Sequence, residues 1–172
     1  MQAIASILYS HRFFSLGFLV LITMSGCSQE APQSESATAA KEAPFAAVTT
    51  QRIIETSPAQ EWLSYGGGYD EQRHSALTAV NRETVNRLGV AWTYDLKTNR
   101  GVESTPIVVD GVMYVTSAWS LIYALDALTG KELWVYDPEV DKTIAVNACC
   151  DVVNRGVAVY QGQVFIGVID GR

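Results

Sequence analysis

Pro106-Ile107-Val108-Val109, Asp110-Gly111, Val112-Met113-Tyr114-Val115-Thr116 is the stretch on which the fold turns. Two apolar, largely β-branched runs flank an Asp-Gly pair. Such a pair suits a two-residue hairpin, because Asp tolerates positive φ and Gly adopts it without steric cost. Leu121-Ile122-Tyr123-Ala124-Leu125-Asp126 reads as a third strand, Thr129-Gly130 as a turn, and Glu132-Leu133-Trp134-Val135-Tyr136 as a fourth strand. Four short antiparallel strands with regular turns are the plan of one β-propeller blade, so the fold class is all-β.

The plan starts again downstream. Val157-Ala158-Val159-Tyr160-Gln161-Gly162-Gln163-Val164-Phe165-Ile166-Gly167 repeats the first strand-turn-strand, with Gly162 falling 51 residues after Gly111. Propeller repeats recur at about 40–50 residues. The sequence closes on Ile169-Asp170-Gly171-Arg172, inside a hairpin turn. Two strands of a second blade leave an edge and an apolar face unpaired, and repeat arrays need about three units for stability. The expectation is therefore the first one to two blades of a longer propeller, occupying residues 51–172.

Upstream, Thr50–Glu55 is predicted as a helical turn capped by Thr50 and ended by Ser57-Pro58. Glu61 to Tyr65 reads as an entry strand, followed by the Gly66-Gly67-Gly68 turn. No Lys-Ser or Lys-Thr follows these glycines, and no strand-loop-helix pattern surrounds them, which argues against a phosphate loop. Residues 28–50 are rich in Ser, Glu, Gln, Ala, Thr, Lys and Pro, with Phe45 the only aromatic. That composition predicts a disordered linker.

Residues 1–27 read as an export signal: His11 and Arg12, an apolar run from Phe13 to Met24, then Ser25-Gly26-Cys27. The run is too short to span a bilayer comfortably. Met24-Ser25-Gly26-Cys27 resembles a bacterial lipobox, which implies lipidation of Cys27 and a periplasmic, membrane-anchored lipoprotein. The other reading is plain cleavage nearby, with Cys27 lost or free. The chain has 172 residues, three cysteines and a net charge of −6. An odd cysteine count in an exported protein fits lipidation of one and retention of a pair. The acidic balance, without any basic cluster, argues against nucleic acid as a partner.

Cys149-Cys150-Asp151-Val152-Val153-Asn154-Arg155-Gly156 carries the chemistry. It resembles the signature of PQQ-dependent (quinoprotein) alcohol dehydrogenases, which are eight-bladed propellers. Arg73-His74-Ser75-Ala76-Leu77 through Ala91-Trp92 resembles the segment leading into their first blade. Ala124-x-Asp126-x-x-Thr129-Gly130-x-x-x-Trp134 resembles their tryptophan-docking repeat, in which the tryptophan wedges between neighbouring blades. The resemblance covers about residues 60–172.

The resemblance implies that Cys149 and Cys150 form a vicinal disulfide packed on one face of the flat tricarboxylate pyrroloquinoline quinone (PQQ). Adjacent Cα atoms lie about 3.8 Å apart, below the usual disulfide spacing, so such a ring twists its peptide. The bland alternative is two reduced, buried cysteines filling space. By the same resemblance Glu103 makes a polar contact to the quinone, and Arg155 pairs with a cofactor carboxylate as a planar fork. Asp151 and Asn154 are expected to bond the turn, and His74 to be structural. The family's general base and its ligands for calcium or a lanthanide match no position up to residue 172. No catalytic or metal-ligating residue is therefore assigned, and this stretch alone is expected not to turn over.

The implied activity is oxidation of a small alcohol by hydride transfer to PQQ, with electrons passing to an acceptor such as cytochrome c. The competing reading is a non-catalytic propeller lipoprotein, like the scaffold of outer-membrane barrel assembly. Cys149, Cys150 and Arg155 discriminate, because a scaffold has no use for a strained ring facing the channel.

Overall fold

The predicted hairpins form, and their turns share one backbone geometry. In the computed structural model, which describes residues 2–5, 47–56 and 61–172, the strands are β1 (Gln2–Ala5), β2 (Trp92–Asp95), β3 (Ile107–Val109), β4 (Val112–Thr116), β5 (Ile122–Asp126), β6 (Glu132–Tyr136), β7 (Ala158–Tyr160) and β8 (Gln163–Phe165). Asp110 and Gly111 take φ of 51° and 77°, and Gln161 and Gly162 take 47° and 78°. Positive φ at both central residues is the turn that matches strand twist. The second hairpin keeps this turn even with Gln in place of Asp.

Strands β3-β4-β5-β6 make one antiparallel sheet in sequence order, and β7-β8 make a separate hairpin. The register pairs Ile107 with Tyr114, Tyr114 with Ala124, and Ala124 with Trp134. Period-two alternation then sorts the side chains onto two faces. One face gathers Ile107, Val109, Val112, Tyr114 and Ala124 with Val48, Leu63 and Val159. The other gathers Val115, Tyr123 and Leu125 with Leu96. Burying a Leu or Ile fully stabilises by about 1.5–3 kcal/mol, so the blade is held from both sides. Strand β6 is exposed along its whole length.

Several expectations are corrected. The cap of the helix α1 (Thr50–Glu55) is Thr49, whose side-chain oxygen accepts from the Arg52 N–H, and not Thr50. Arg52 then holds α1 to the first hairpin through Glu61 at 2.6 Å and Asp110 at 2.7 Å. The entry segment is not a strand: it makes a single antiparallel bridge, Trp62 with Val108. Ala47–Thr49, assigned by composition to the linker, belongs to the packed part. Val48 is 0% exposed, and its carbonyl accepts from the Gln161 N–H at 2.9 Å.

Gln2–Ala5, assigned to the export signal, pairs antiparallel with β2. The physical reason is an open edge, since β2 otherwise presents unpaired backbone groups. The rest of the predicted signal, its Cys27 included, and the linker up to residue 46 lie outside the described residues. Among the described residues no helix is long and apolar enough to cross a membrane.

The docking repeat closes on a tight turn. Asp126 Oδ1 accepts from the Leu128 N–H, the Thr129 N–H and the Thr129 hydroxyl at 2.7–3.1 Å, which rolls the chain into a tight turn. Seated on that turn is Trp92: its indole N–H donates to the Ala127 carbonyl at 3.2 Å. A Cβ on Gly130, at φ +72°, would lie 2.5 Å from the Trp92 ring. Trp134 leans on Tyr114, with centroids 5.9 Å apart, stays 38% exposed, and lines a cavity together with Val164 and Phe165 of the second hairpin.

Candidate cofactor-binding site

Two connections meet at one end of the blade. The first runs from β2 to β3 and carries Glu103; the second runs from β6 to β7 and carries Cys149, Cys150 and Arg155. Backbone bonds stitch them together. Thr105 N–H donates to the Arg155 carbonyl at 3.0 Å, and Trp119 N–H donates to the Val152 carbonyl at 2.9 Å. The Thr116 hydroxyl donates to the Asn154 carbonyl at 3.1 Å. Val152 is fully buried, so it pins the centre of the loop. Gly156 sits at φ +134°, and a Cβ there would come within 2.9 Å of the Thr105 carbonyl oxygen.

Asn154 bonds the turn as expected. Its side-chain oxygen accepts from the Gly156 N–H, and its amide donates to Ser120 Oγ and to the Gly167 carbonyl. Asp151 does something else: at φ 66° it turns its carboxylate outward to Arg100 at 2.7 Å. The Arg100 guanidinium also lies over the Trp119 ring, 5.9 Å from its centroid.

The four predicted residues converge. Arg155 Nη2 lies 2.9 Å from Glu103 Oε2, with the side chains 64% and 45% exposed. Cys150 feels both charges. Its hydrogen bond and electrostatic interaction with the neighbouring Cys149 hold the Cys150 thiol above the usual cysteine range; desolvation and Glu103 add to the shift and Arg155 opposes it. Cys149 and Cys150 are two exposed thiols, unjoined. Their exposure corrects the reading as buried space-fillers.

A cavity of about 510 Å³ opens beside Arg155, walled by Val157, Ala158, Phe165 and Ile166 and bounded by Tyr65. That volume falls within the range of small-molecule sites, about 300–1,000 Å³. A larger cavity of about 630 Å³, between Lys97, Arg100 and Trp119, contains none of the four predicted residues. Sequence reasoning missed Tyr65 and Arg73. The Arg73 guanidinium covers the Tyr65 ring at 4.2 Å from its centroid. Bonding from Arg73 and from Thr105, with the charges of Arg73 and Arg155, holds the Tyr65 phenol below its ordinary range. Nothing local announces this pair, because the contact closes across a glycine-rich loop.

The donor set fits a flat polycarboxylate. Arg155 presents its guanidinium at the cavity with apolar walls next to it, while Glu103, Cys149 and Cys150 lie outside the cavity lining. No group of three or more His, Cys, Asp or Glu side chains is placed to hold a metal ion among the described residues.

Comparison with known proteins shows the family. Residues 62–168 match the family model described as PQQ: glucose/ethanol/alcohol dehydrogenase, beta-propeller domain. The chain is 56% identical over 114 residues to the 1-butanol dehydrogenase (cytochrome c) of Thauera butanivorans, covering 65% of this chain and 16% of that protein. The quinohemoprotein alcohol dehydrogenase ADHIIG of Pseudomonas putida superposes with a TM-score of 0.70 at 52% identity, over 73% of this chain and 19% of that one. A europium-containing methanol dehydrogenase superposes at 0.63 and 36% identity, over 69% and 21%. The chain thus spans about a sixth of the length of the curated relatives it matches. With more than half its residues inside the matched domain, the chain belongs to the β-propeller domain family of the PQQ-dependent glucose, ethanol and alcohol dehydrogenases.

Proposed function

We propose that this chain supplies the first blade and the opening hairpin of the second to a periplasmic PQQ-dependent dehydrogenase that oxidises a small alcohol. The observation that carries the reading is the meeting of Glu103 and Arg155 at 2.9 Å, from the approaches to two successive repeats, beside Cys149 and Cys150. A site built by two repeats at one end of a propeller needs both repeats correctly stacked, which ties cofactor binding to the fold.

In this reading Arg155 binds a PQQ carboxylate, and Glu103 orients both the arginine and the quinone edge. Cys149 and Cys150, oxidised to a ring, form the apolar floor, while Val157 and Phe165 exclude water from one side. When bound, PQQ supplies the two-electron acceptor for the alcohol, with a calcium or lanthanide ion as Lewis acid, and cytochrome c takes the electrons onward. Lipidation of Cys27 anchors the protein to the membrane.

The test uses the full-length gene product, titrated with PQQ in the apo form while its fluorescence is followed. Arg155→Ala leaves a ligand carboxylate unpaired once the bound ligand and the rest of the propeller exclude water from the site. Truncating one side of such a pair weakens binding by about 30-fold or more. Glu103→Ala is expected to weaken it less. If Arg155→Ala unfolds the apo-protein and leaves PQQ affinity intact, the arginine is structural and the site assignment fails.

A further inference from the structure

We infer that Arg100 and Trp119 are positioning residues for the cysteine pair. Arg100 through Asp151, and Trp119 through Val152, hold the peptide that follows Cys150 and so set how the pair meets the cofactor. The inference rests on the PQQ reading of Cys149 and Cys150 and adds two residues that lie outside the motif.

Asp151, the residue after Cys150, has φ of 66°. An L-residue enters that left-handed region only at a steric cost, although Asp tolerates it better than most. A residue held there depends on its surroundings to fix it. Asp151 Oδ1 accepts from Arg100 Nη1 at 2.7 Å. Arg100 comes from the connection before β3, three residues ahead of Glu103. The two connections are therefore tied by a second ion pair besides that of Glu103 and Arg155. The following residue is held as well: Val152 is 1% exposed, and its carbonyl accepts from the Trp119 N–H at 2.9 Å. The Arg100 guanidinium lies over the Trp119 ring, so one cation serves both the ring and the carboxylate.

Trp119 belongs to a turn that is itself strained. Trp119 and Ser120 have φ of 64° and 61°, two successive non-glycine residues in the left-handed region. That turn faces the cysteine loop. Ser120 Oγ accepts from the Asn154 amide at 3.2 Å, and the Thr116 hydroxyl just before the turn donates to the Asn154 carbonyl. Asp151, Val152 and Asn154 are thus each fastened by a side chain or backbone group of another connection. Cys150 adjoins this fastened segment directly, so its placement follows that of Asp151.

The experiment titrates full-length apo-protein with PQQ by fluorescence. The absorption spectrum of the bound cofactor, the melting temperature and hydrogen exchange in the segment 149–155 are recorded alongside. Asn adopts the left-handed backbone readily, so Asp151→Asn removes the charge and leaves the turn. Asp151→Asn and Arg100→Gln are each expected to weaken PQQ binding by about three- to fivefold, the worth of a partly exposed ion pair. Each should also shift the bound cofactor's spectrum and speed exchange in that segment. The double variant should bind no more weakly than either single one, because the two residues act as one pair. Arg100→Lys keeps the charge without the fork and should restore part of the loss. Trp119→Leu removes the ring beneath Arg100 and should show a smaller loss of the same kind; wild-type affinity and exchange there would remove Trp119 from the arrangement. Lys142→Ala removes the other cation over that ring, at 5.9 Å, without touching Asp151, and should behave as wild type. If exchange speeds up while PQQ affinity and spectrum stay unchanged, and Arg155→Ala still binds weakly, the contacts are only structural: this inference falls and the PQQ reading stands. Additive losses in the double variant would also overturn it, since Arg100 and Asp151 would then act separately. Should Asp151→Asn not fold, Arg100→Gln and Arg100→Lys decide on the same readouts. If wild type binds no PQQ, both proposals fall.

Discussion

Gly130→Ala is expected to destabilise the first blade through two separable effects. The residue sits at φ +72°, and the added Cβ would lie 2.5 Å from the Trp92 ring, closer than real Cβ contacts approach. A positive φ costs an L-residue about 1–2 kcal/mol. Forcing the ring aside adds about 1–3 kcal/mol, the range for overpacking a filled site. The total is about 2–5 kcal/mol, read as a shift in the urea midpoint of the full-length protein at constant slope. The mechanism makes a sharper demand in a double-mutant cycle. Trp92→Ala by itself loses a packed aromatic and the indole bond to Ala127, about 3–5 kcal/mol. In that background no ring remains to collide with, so Gly130→Ala should cost only the backbone share, about 1–2 kcal/mol. Equal costs of Gly130→Ala with and without Trp92 would refute the seating of this ring on the turn.

Three further outcomes follow from the same structure. Asp126 has its carboxyl held below the usual range, first by the Thr129 hydroxyl and then by backbone N–H donors; a depressed acid stabilises fully above its unfolded value of about 3.9 and loses that share as pH falls through the folded value. Melting curves between pH 5 and 2 should therefore fall more steeply for wild type than for Asp126→Asn. Mass spectrometry of the tryptic peptide holding Cys149 and Cys150, from exported full-length protein, should show two hydrogens fewer than the dithiol; two freely alkylated thiols would refute the ring. Labelling with a palmitate analogue should mark the exported protein and fail with Cys27→Ala, whereas an unlabelled wild type would leave plain secretion.

The blade was legible in the sequence because its signals are local. Alternation and turn residues set β3 to β6 and the 51-residue repeat, and the hairpins at Asp110-Gly111 and Gln161-Gly162 match in φ to within a few degrees. What stayed illegible depends on distant partners or on small energy differences. Thr49 and Thr50 are equally good caps by type, and only the chain's entry angle selects Thr49. Trp92 reaches the turn after β5 because the segment before the first blade lies across Ala127 and Gly130, a contact no local pattern announces. β1 has no strand signal of its own and forms by answering the open edge of β2.

The site divides along the same line. Cys149, Cys150, Arg155 and Glu103 were all singled out through the family resemblance, but nothing in the letters says that Glu103 and Arg155 touch. Their contact has a consequence for any carboxylate ligand. With Glu103 at 2.9 Å, the guanidinium is already oriented before the ligand arrives, which lowers the ordering cost of the forked contact. The same carboxylate competes with the ligand for the fork, which lowers the gain. At 64% exposure solvent screens the arginine's present pair, so the competition is weak while the site is open. Screening falls as the ligand and the walls around Phe165 exclude water, and the repulsion between Glu103 and a bound carboxylate then grows.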